Sequence, residues 1–343
     1  MSGESSNAVA WFTLLEPARP PADLVPRADD PRLGKILEFW QGNPAALKPG
    51  RPVLIGYPQD EGVRRNRGRP GAAQAPDEIR RWLYRLTPDD SEAGVGLREQ
   101  PPLDGGNLQL SGSLEDSQEA LGKVIAGILQ TGAIPVVLGG GHETAFGHYL
   151  GYVAAQRRVG IVNIDAHLDL RPCLNGQGHS GSPFRQALEH SEAPLLGEEY
   201  VCLGAEPHAV AAEHLQYAQR RGCVVRWRNS VKRGLVAQFL HECDRLATRG
   251  CQVYVSVDAD VVRQAEIPGV SAPNPAGLCG KQVLACARAA GHSPQVSSLD
   301  LVEINPRFDR DGQSARWAAL LIWNFLIGVA SRRMLSTSPK RPV

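Results

Sequence analysis

Short apolar runs alternate with amphipathic stretches along most of the chain. From Pro52 onward, largely apolar segments at 53–56, 134–138, 159–164, 200–203, 223–227, 253–257 and 296–302 read as buried strands. Between them, helical spacing predicts helices over 75–86, 114–129, 211–221, 234–247, 281–290 and 315–327. In the first of these, Ile79, Trp82, Leu83 and Leu86 fall on one face. Strands that are apolar on both faces and alternate with helices predict an α/β protein, its mainly parallel sheet covered on each side.

The start of the chain breaks this rhythm. Pro17, Pro20, Pro21, Pro26 and Pro31 punctuate it, with one short helical stretch predicted over 33–40. The expected organisation is a Pro-rich extension, residues 1–50, packed on a single domain formed by residues 51–343. No internal repeat is evident.

Composition narrows the partners. Hydrophobic residues make up 42% and charged residues 21%, enough for a full core, and 37 basic residues balance 36 acidic ones. Such balance gives nucleic acid or an anionic membrane no electrostatic handle, so a small-molecule ligand is expected. The 7 cysteines are odd in number and form no Cys-x-x-Cys pair, which predicts reduced thiols in a cytoplasmic protein. The first ten residues lack the basic and apolar regions of a signal peptide. The apolar stretch 317–330 is short for a membrane span and is expected to be a buried helix. A homo-oligomer is compatible with the sequence.

Polar chemistry gathers where strands end, the edge at which open α/β sheets bind ligands. Strand 134–138 runs into Gly139-Gly140-Gly141-His142-Glu143, and strand 159–164 into Asp165-Ala166-His167-Leu168-Asp169. Strand 253–257 runs into Asp258-Ala259-Asp260, and strand 296–302 into Glu303-Ile304-Asn305-Pro306. In extended backbone alternate side chains share a face, so Asp165, His167 and Asp169 converge, as do Asp258 and Asp260. One Asp-x-Asp at a strand end is commonly a turn or cap. Three such segments at one edge point instead to a divalent cation, with carboxylate and imidazole ligands suited to Mn, Fe, Co, Ni or Zn. The triple glycine lacks the Lys-Ser/Thr of a nucleotide-binding loop.

Taken in order, these segments resemble the ureohydrolase superfamily of arginases, agmatinases and formimidoylglutamases, over roughly residues 50–330. The resemblance implies a three-layer α/β/α domain with an eight-stranded mainly parallel sheet. It also implies two Mn2+ per chain. His142, Asp165, Asp169 and Asp258 would hold one ion; Asp165, His167, Asp258 and Asp260 would hold the other, with Asp165 and Asp258 bridging. Asp169 would move protons, and Glu303 would pair with a cationic amidine.

Within the superfamily the chain is most similar to the formimidoylglutamases. The carrying segments are Asp60–Ala72, Ser180–Gln186, Pro268–Pro273 and Asn305–Gly312, together with Gly141, where arginases carry Asp. The implied reaction is hydrolysis of N-formimidoyl-L-glutamate to L-glutamate and formamide, a step of histidine degradation, by hydroxide activated at the two ions. Ser180 stands where arginases and agmatinases place a shuttle histidine. His179, one residue earlier, is the expected substitute. The substrate's two carboxylates direct attention to Arg64, Arg65 and Arg185, with Ser180 beside them. The alternatives are another ureohydrolase that releases urea from a guanidino compound, or a metal-binding homologue without turnover.

Overall fold

The apolar runs become the middle strands of one large sheet. The computed structural model describes residues 11–337 apart from positions 21, 23, 26 and 28. The expected reading of residues 1–10, and the prolines at 21 and 26, lie outside the described residues. In chain order the strands are β1 (Leu15–Glu16), β2 (Glu38–Phe39), β3 (Pro52–Gly56), β4 (Asp89–Asp90), β5 (Val95–Gly96), β6 (Leu103–Leu108), β7 (Ile134–Leu138), β8 (Val159–Ile164), β9 (Tyr200–Ala205), β10 (Val224–Trp227), β11 (Gln252–Asp258) and β12 (Val296–Val302). The helices are α1 (Leu33–Ile36), α2 (Glu61–Arg65), α3 (Ala75–Leu83), α4 (Leu114–Gln130), α5 (Thr144–Ala154), α6 (Pro183–Leu188), α7 (Ala212–Arg221), α8 (Arg228–Val231), α9 (Leu235–Thr248), α10 (Gly280–His292) and α11 (Gln313–Thr337).

Eight strands form the parallel run β6-β3-β7-β12-β11-β8-β9-β10. The sheet has 10 strands rather than the expected eight, because the proline-rich segment adds two. β1 pairs antiparallel with β6, and β2 pairs parallel with it. The segment before Arg51 thus extends the sheet, and Leu15, Leu33, Leu37 and Trp40 sit in its core.

Period-two alternation sorts the strand residues into two apolar layers. Val136, Val162, Val253 and Val255 face one side, against Ile79, Phe239, Val283 and Leu321 of α3, α9, α10 and α11. Val137, Ile161 and Tyr254 face the other, against Val124, Tyr149 and Phe184 of α4, α5 and α6. Three layers result. α11 is longer than the predicted 315–327, and Gln313–Arg332 is long and apolar enough to cross a membrane. However, 61% of that window is buried inside the protein, which makes it a core helix here.

β6 and α5 are the longest strand and the longest helix that escaped the apolar pattern. β6 reads Leu-Asp-Gly-Gly-Asn-Leu, which carries little strand signal. Its Gly106 has φ +90°, and a Cβ there would lie 1.9 Å from the Glu16 carbonyl oxygen, so glycine is what admits β1 alongside. α5 is apolar on most sides, so it presents no polar stripe to mark it as a helix. The predicted helix 33–40 stops at Ile36 because Leu37 turns to extended backbone and Phe39 pairs with Asp104.

Candidate metal centre

The four strands that carry the polar segments are adjacent, in the order β7-β12-β11-β8. Their carboxyl ends open side by side at the middle of the sheet. Beyond β7, Gly139–Gly141 threads under residues 59–62: a Cβ on Gly140 would lie 1.8 Å from the Gln59 carbonyl oxygen. Glycine is therefore required for His142 to reach its place.

Six side chains meet at this edge. His142 Nδ1 lies 2.8 Å from Asp169 Oδ2, 3.1 Å from Asp258 Oδ2 and 3.4 Å from Asp165 Oδ2. His167 Nδ1 lies 3.2 Å from Asp260 Oδ2 and 3.5 Å from Asp165 Oδ1. Two groups result, each with ligand atoms within 4.8 Å of one another: His142, Asp165, Asp169 and Asp258, and Asp165, His167 and Asp260. Asp165 is common to both. Asp258 was expected to bridge as well, but as placed it belongs to the first group; its Oδ1 accepts from the Asp260 N–H at 2.8 Å.

The ligands are held from behind. Asn163 Nδ2 donates to Asp165 Oδ2 at 2.9 Å, and the His167 N–H donates to Asp165 Oδ1 at 2.7 Å. The edge of Phe184 stands on the His142 ring, centroids 5.2 Å apart. Asp169 (φ 48°) and Glu303 (φ 64°) occupy the left-handed region, which costs a non-glycine residue about 1 kcal/mol and concentrates at functional sites.

Electrostatically the cluster is incomplete. Burial pushes the Asp258 and Asp260 carboxyls above their ordinary range, and neighbouring carboxylates push them further. Asp260 holds His167 well above its usual value; burial alone would lower His142, yet Asp169 and Asp258 raise it well above. Two like charges about 4 Å apart repel by about 4 kcal/mol at an effective dielectric near 20. His142 Nδ1 and Asp260 Oδ1 are buried without a hydrogen-bond partner. Four carboxylates with two neutral imidazoles carry a formal charge of −4, which two divalent cations would cancel. The donor set fits a pair of oxygen- and nitrogen-seeking ions.

Glu303 lies beside this cage. Its Oε1 accepts from the His142 N–H at 2.8 Å, while Oε2 is buried and makes no hydrogen bond. Burial pushes its pKa up to about 7.

The other expected residues are placed differently. His179 is buried with both ring nitrogens engaged: Nδ1 accepts from the Gly181 N–H at 3.1 Å, and Nε2 lies 3.0 Å from the Pro172 carbonyl oxygen. Because Nδ1 accepts, Nε2 carries the proton, and burial holds the ring below its usual pKa. That geometry makes it a brace of its loop, in place of the expected shuttle. Ser180 ties the same loop to α2, its Oγ accepting from Asn66 Nδ2 at 3.0 Å.

All three expected arginines already have acidic partners. Arg65 Nη1 pairs with Glu115 at 2.6 Å and also donates to the Gly178 carbonyl. Arg185 pairs with Glu189 at 3.1 Å and stacks on Tyr217. Arg64 is more exposed and pairs with Asp60 at 3.3 Å. Arg171, which density of arginines did not single out, follows Asp169 by two residues on the same loop. It is exposed, donates to Asn66 Oδ1 at 3.1 Å, and has no carboxylate partner among the described residues. The continued alternation Asp165, His167, Asp169, Arg171 was the signal that could have found it.

Comparison with known proteins follows the same residues. The arginase family model matches residues 51–328. A formimidoylglutamase of Geobacillus thermodenitrificans is 40% identical over 279 residues, covering 80% of this chain and 83% of the relative. One from Rhodococcus jostii is 39% identical over 292 residues, covering 80% and 85%. The crystal structure of Trypanosoma cruzi formiminoglutamase with Mn2+2 superposes with a TM-score of 0.81 at 33% identity, covering 89% of this chain and 100% of that one. The chain belongs to the arginase family.

Proposed function

We propose that this chain is a manganese-dependent formimidoylglutamase, hydrolysing N-formimidoyl-L-glutamate to L-glutamate and formamide. The observation that carries the reading is the cage of four aspartates and two histidines beside Glu303, buried except for the half-buried His167 and Asp169 at its mouth. Its relatives of that name, 35–40% identical over most of the chain, support it. His142, Asp165, Asp169 and Asp258 would hold one Mn2+; Asp165, His167 and Asp260 would hold the second. When bound, the ions supply Lewis acidity, lowering the pKa of water so that a nucleophile is available at neutral pH.

The chain's own side chains do the rest. Glu303 Oε2, buried and unpartnered, accepts from an amidinium N–H and turns the formimidoyl carbon toward the cage. Asp169 orients the attacking oxygen and carries its proton to the nitrogen that departs with glutamate. Arg171, free of acidic partners among the described residues, receives a substrate carboxylate in bidentate fashion. All seven cysteines are free, which suits a cytoplasmic enzyme.

The test is a substrate panel on manganese-loaded protein with products identified. Formamide and glutamate from formimidoylglutamate, with kcat/KM above that for agmatine or arginine, are expected. Urea released from agmatine or arginine at higher kcat/KM would overturn the assignment.

A further inference from the structure

Behind the cage, away from its mouth, lies a second set of polar groups that the reaction does not touch. Ser256 on β11 stands opposite Asp300 on β12 in the strand register. That pairing sets Ser256 Oγ 2.6 Å from Asp300 Oδ1. The other oxygen, Asp300 Oδ2, accepts from the Tyr254 hydroxyl and lies 3.1 Å from His148 Nδ1. Tyr254 and His148 stack on each other with centroids 4.0 Å apart. All four residues are fully buried. The set reaches the cage at one point: Ser256 Oγ lies 3.0 Å from His142 Nε2.

The direction of each hydrogen bond follows from donor counting. An ionised carboxylate only accepts, so the Tyr254 and Ser256 hydroxyls both donate to Asp300. A serine hydroxyl has one proton. With that proton given to Asp300, Ser256 can only accept from His142. Nε2 therefore carries a proton, which leaves Nδ1, the nitrogen that faces Asp165, Asp169 and Asp258, as the one a cation can take.

We propose that Ser256 and Asp300 are positioning residues. They fix the tautomer and ring plane of His142 so that Nδ1 is offered to a divalent ion, while His148 and Tyr254 hold the Asp300 carboxylate in place. This rests on the proposed role of His142 as a ligand. Partners of this kind typically contribute a factor of 10–100 in metal affinity.

The experiment compares Ser256→Ala, Asp300→Asn and His142→Ala with the wild type, by Mn2+ calorimetry and by proton NMR of the cadmium-loaded chain. In wild type, a slowly exchanging imidazole N–H absent from His142→Ala should mark Nε2–H. Ser256→Ala should bind one of two ions about 10–100-fold more weakly and keep the other. Asp300→Asn can donate to Ser256 and reverse the relay, so the Nε2–H signal should vanish. Ser256→Thr, which keeps the hydroxyl, should restore affinity. A merely structural polar cluster would lower the melting temperature of the metal-free variants and leave both affinities alone. Wild-type affinity in Ser256→Ala alongside a defect in His142→Ala would overturn the relay only. Undiminished binding in His142→Ala would overturn the ligand assignment, and the relay with it.

Discussion

Two buried charge clusters in this protein are both built around aspartates and come out opposite. In one, Arg80 of α3 and Asp104 of β6 face each other at 3.0 Å, 5% and 0% exposed. Arg80 also donates to the Gly106 carbonyl at 2.8 Å and to Asn107, and Asp104 accepts from the Tyr84 hydroxyl at 2.7 Å and from the Gly106 N–H at 2.9 Å. Burial opposes the charge on Arg80, but Asp104 more than compensates and holds its pKa up. Charge and hydrogen bonds both close within the protein. In the other cluster, four aspartates and two histidines crowd one strand edge with polar atoms left unpartnered. A closed cluster stabilises a fold; an open one of excess charge costs stability until something of opposite charge enters.

The comparison can be broken in both directions. Asp165→Ala should abolish binding of both ions and lower kcat by about 10⁴-fold, roughly 5 kcal/mol of barrier. The stability arm belongs to Asp258, whose carboxyl is pushed up by burial and by Asp260 and Asp165: metal-free Asp258→Asn should melt at or above metal-free wild type, because like-charge repulsion is relieved, and a clear drop would say the cage is already balanced. Asp104→Asn should do the reverse. It leaves Arg80 buried without its counter-charge, a loss of about 3–5 kcal/mol in denaturant unfolding, with manganese per folded chain unchanged.

Smaller effects sharpen the picture. Arg171→Ala should reduce kcat/KM for formimidoylglutamate about 10–100-fold, mostly through KM, in steady-state assays. Arg65→Ala and Arg185→Ala, whose guanidinium groups are already paired, should change it less than about threefold. A larger loss at Arg65 than at Arg171 would return the carboxylate site to α2. Smallest is Glu242, a closed ion cluster in α9, paired with Arg226 at 2.8 Å and Arg245 at 2.6 Å. Burial would raise its pKa, but the two arginines win and lower it below 4.5. Its stabilisation is therefore present above that value and lost as pH falls through the lowered folded value. Glu242→Gln should be less stable than wild type at about pH 7, by about 1 kcal/mol, and the gap should close as pH falls through the lowered folded value.

The sequence made the middle of the sheet and the cage legible for one reason. Strands 134–138, 159–164 and 296–302 are mostly apolar, interrupted by Asn163, Ser297, Ser298 and Asp300, and a dense polar segment begins where each strand ends. Alternation then put Asp165, His167 and Asp169 on one side. β6 was hidden because its Asp104 and Gly106 serve the Arg80 cluster and the approach of β1, neither of which is a strand signal. The substrate side was misjudged for a different reason. Arg65 and Arg185 were chosen for the loops they occupy and for the substrate's two carboxylates, but their partners, Glu115 and Glu189, come from pairings that only the folded chain makes. Likewise nothing in the sequence around His179 shows that Pro172 and Gly181 fold back onto its ring.

Equilibrium dialysis of the metal-free chain against Mn2+, with bound metal counted per folded chain, tests the central claim most directly. The open cage of His142, Asp165, His167, Asp169, Asp258 and Asp260 predicts saturation at two ions per chain, with a rise in melting temperature as they bind. Saturation at one ion, or no binding at all, would contradict it.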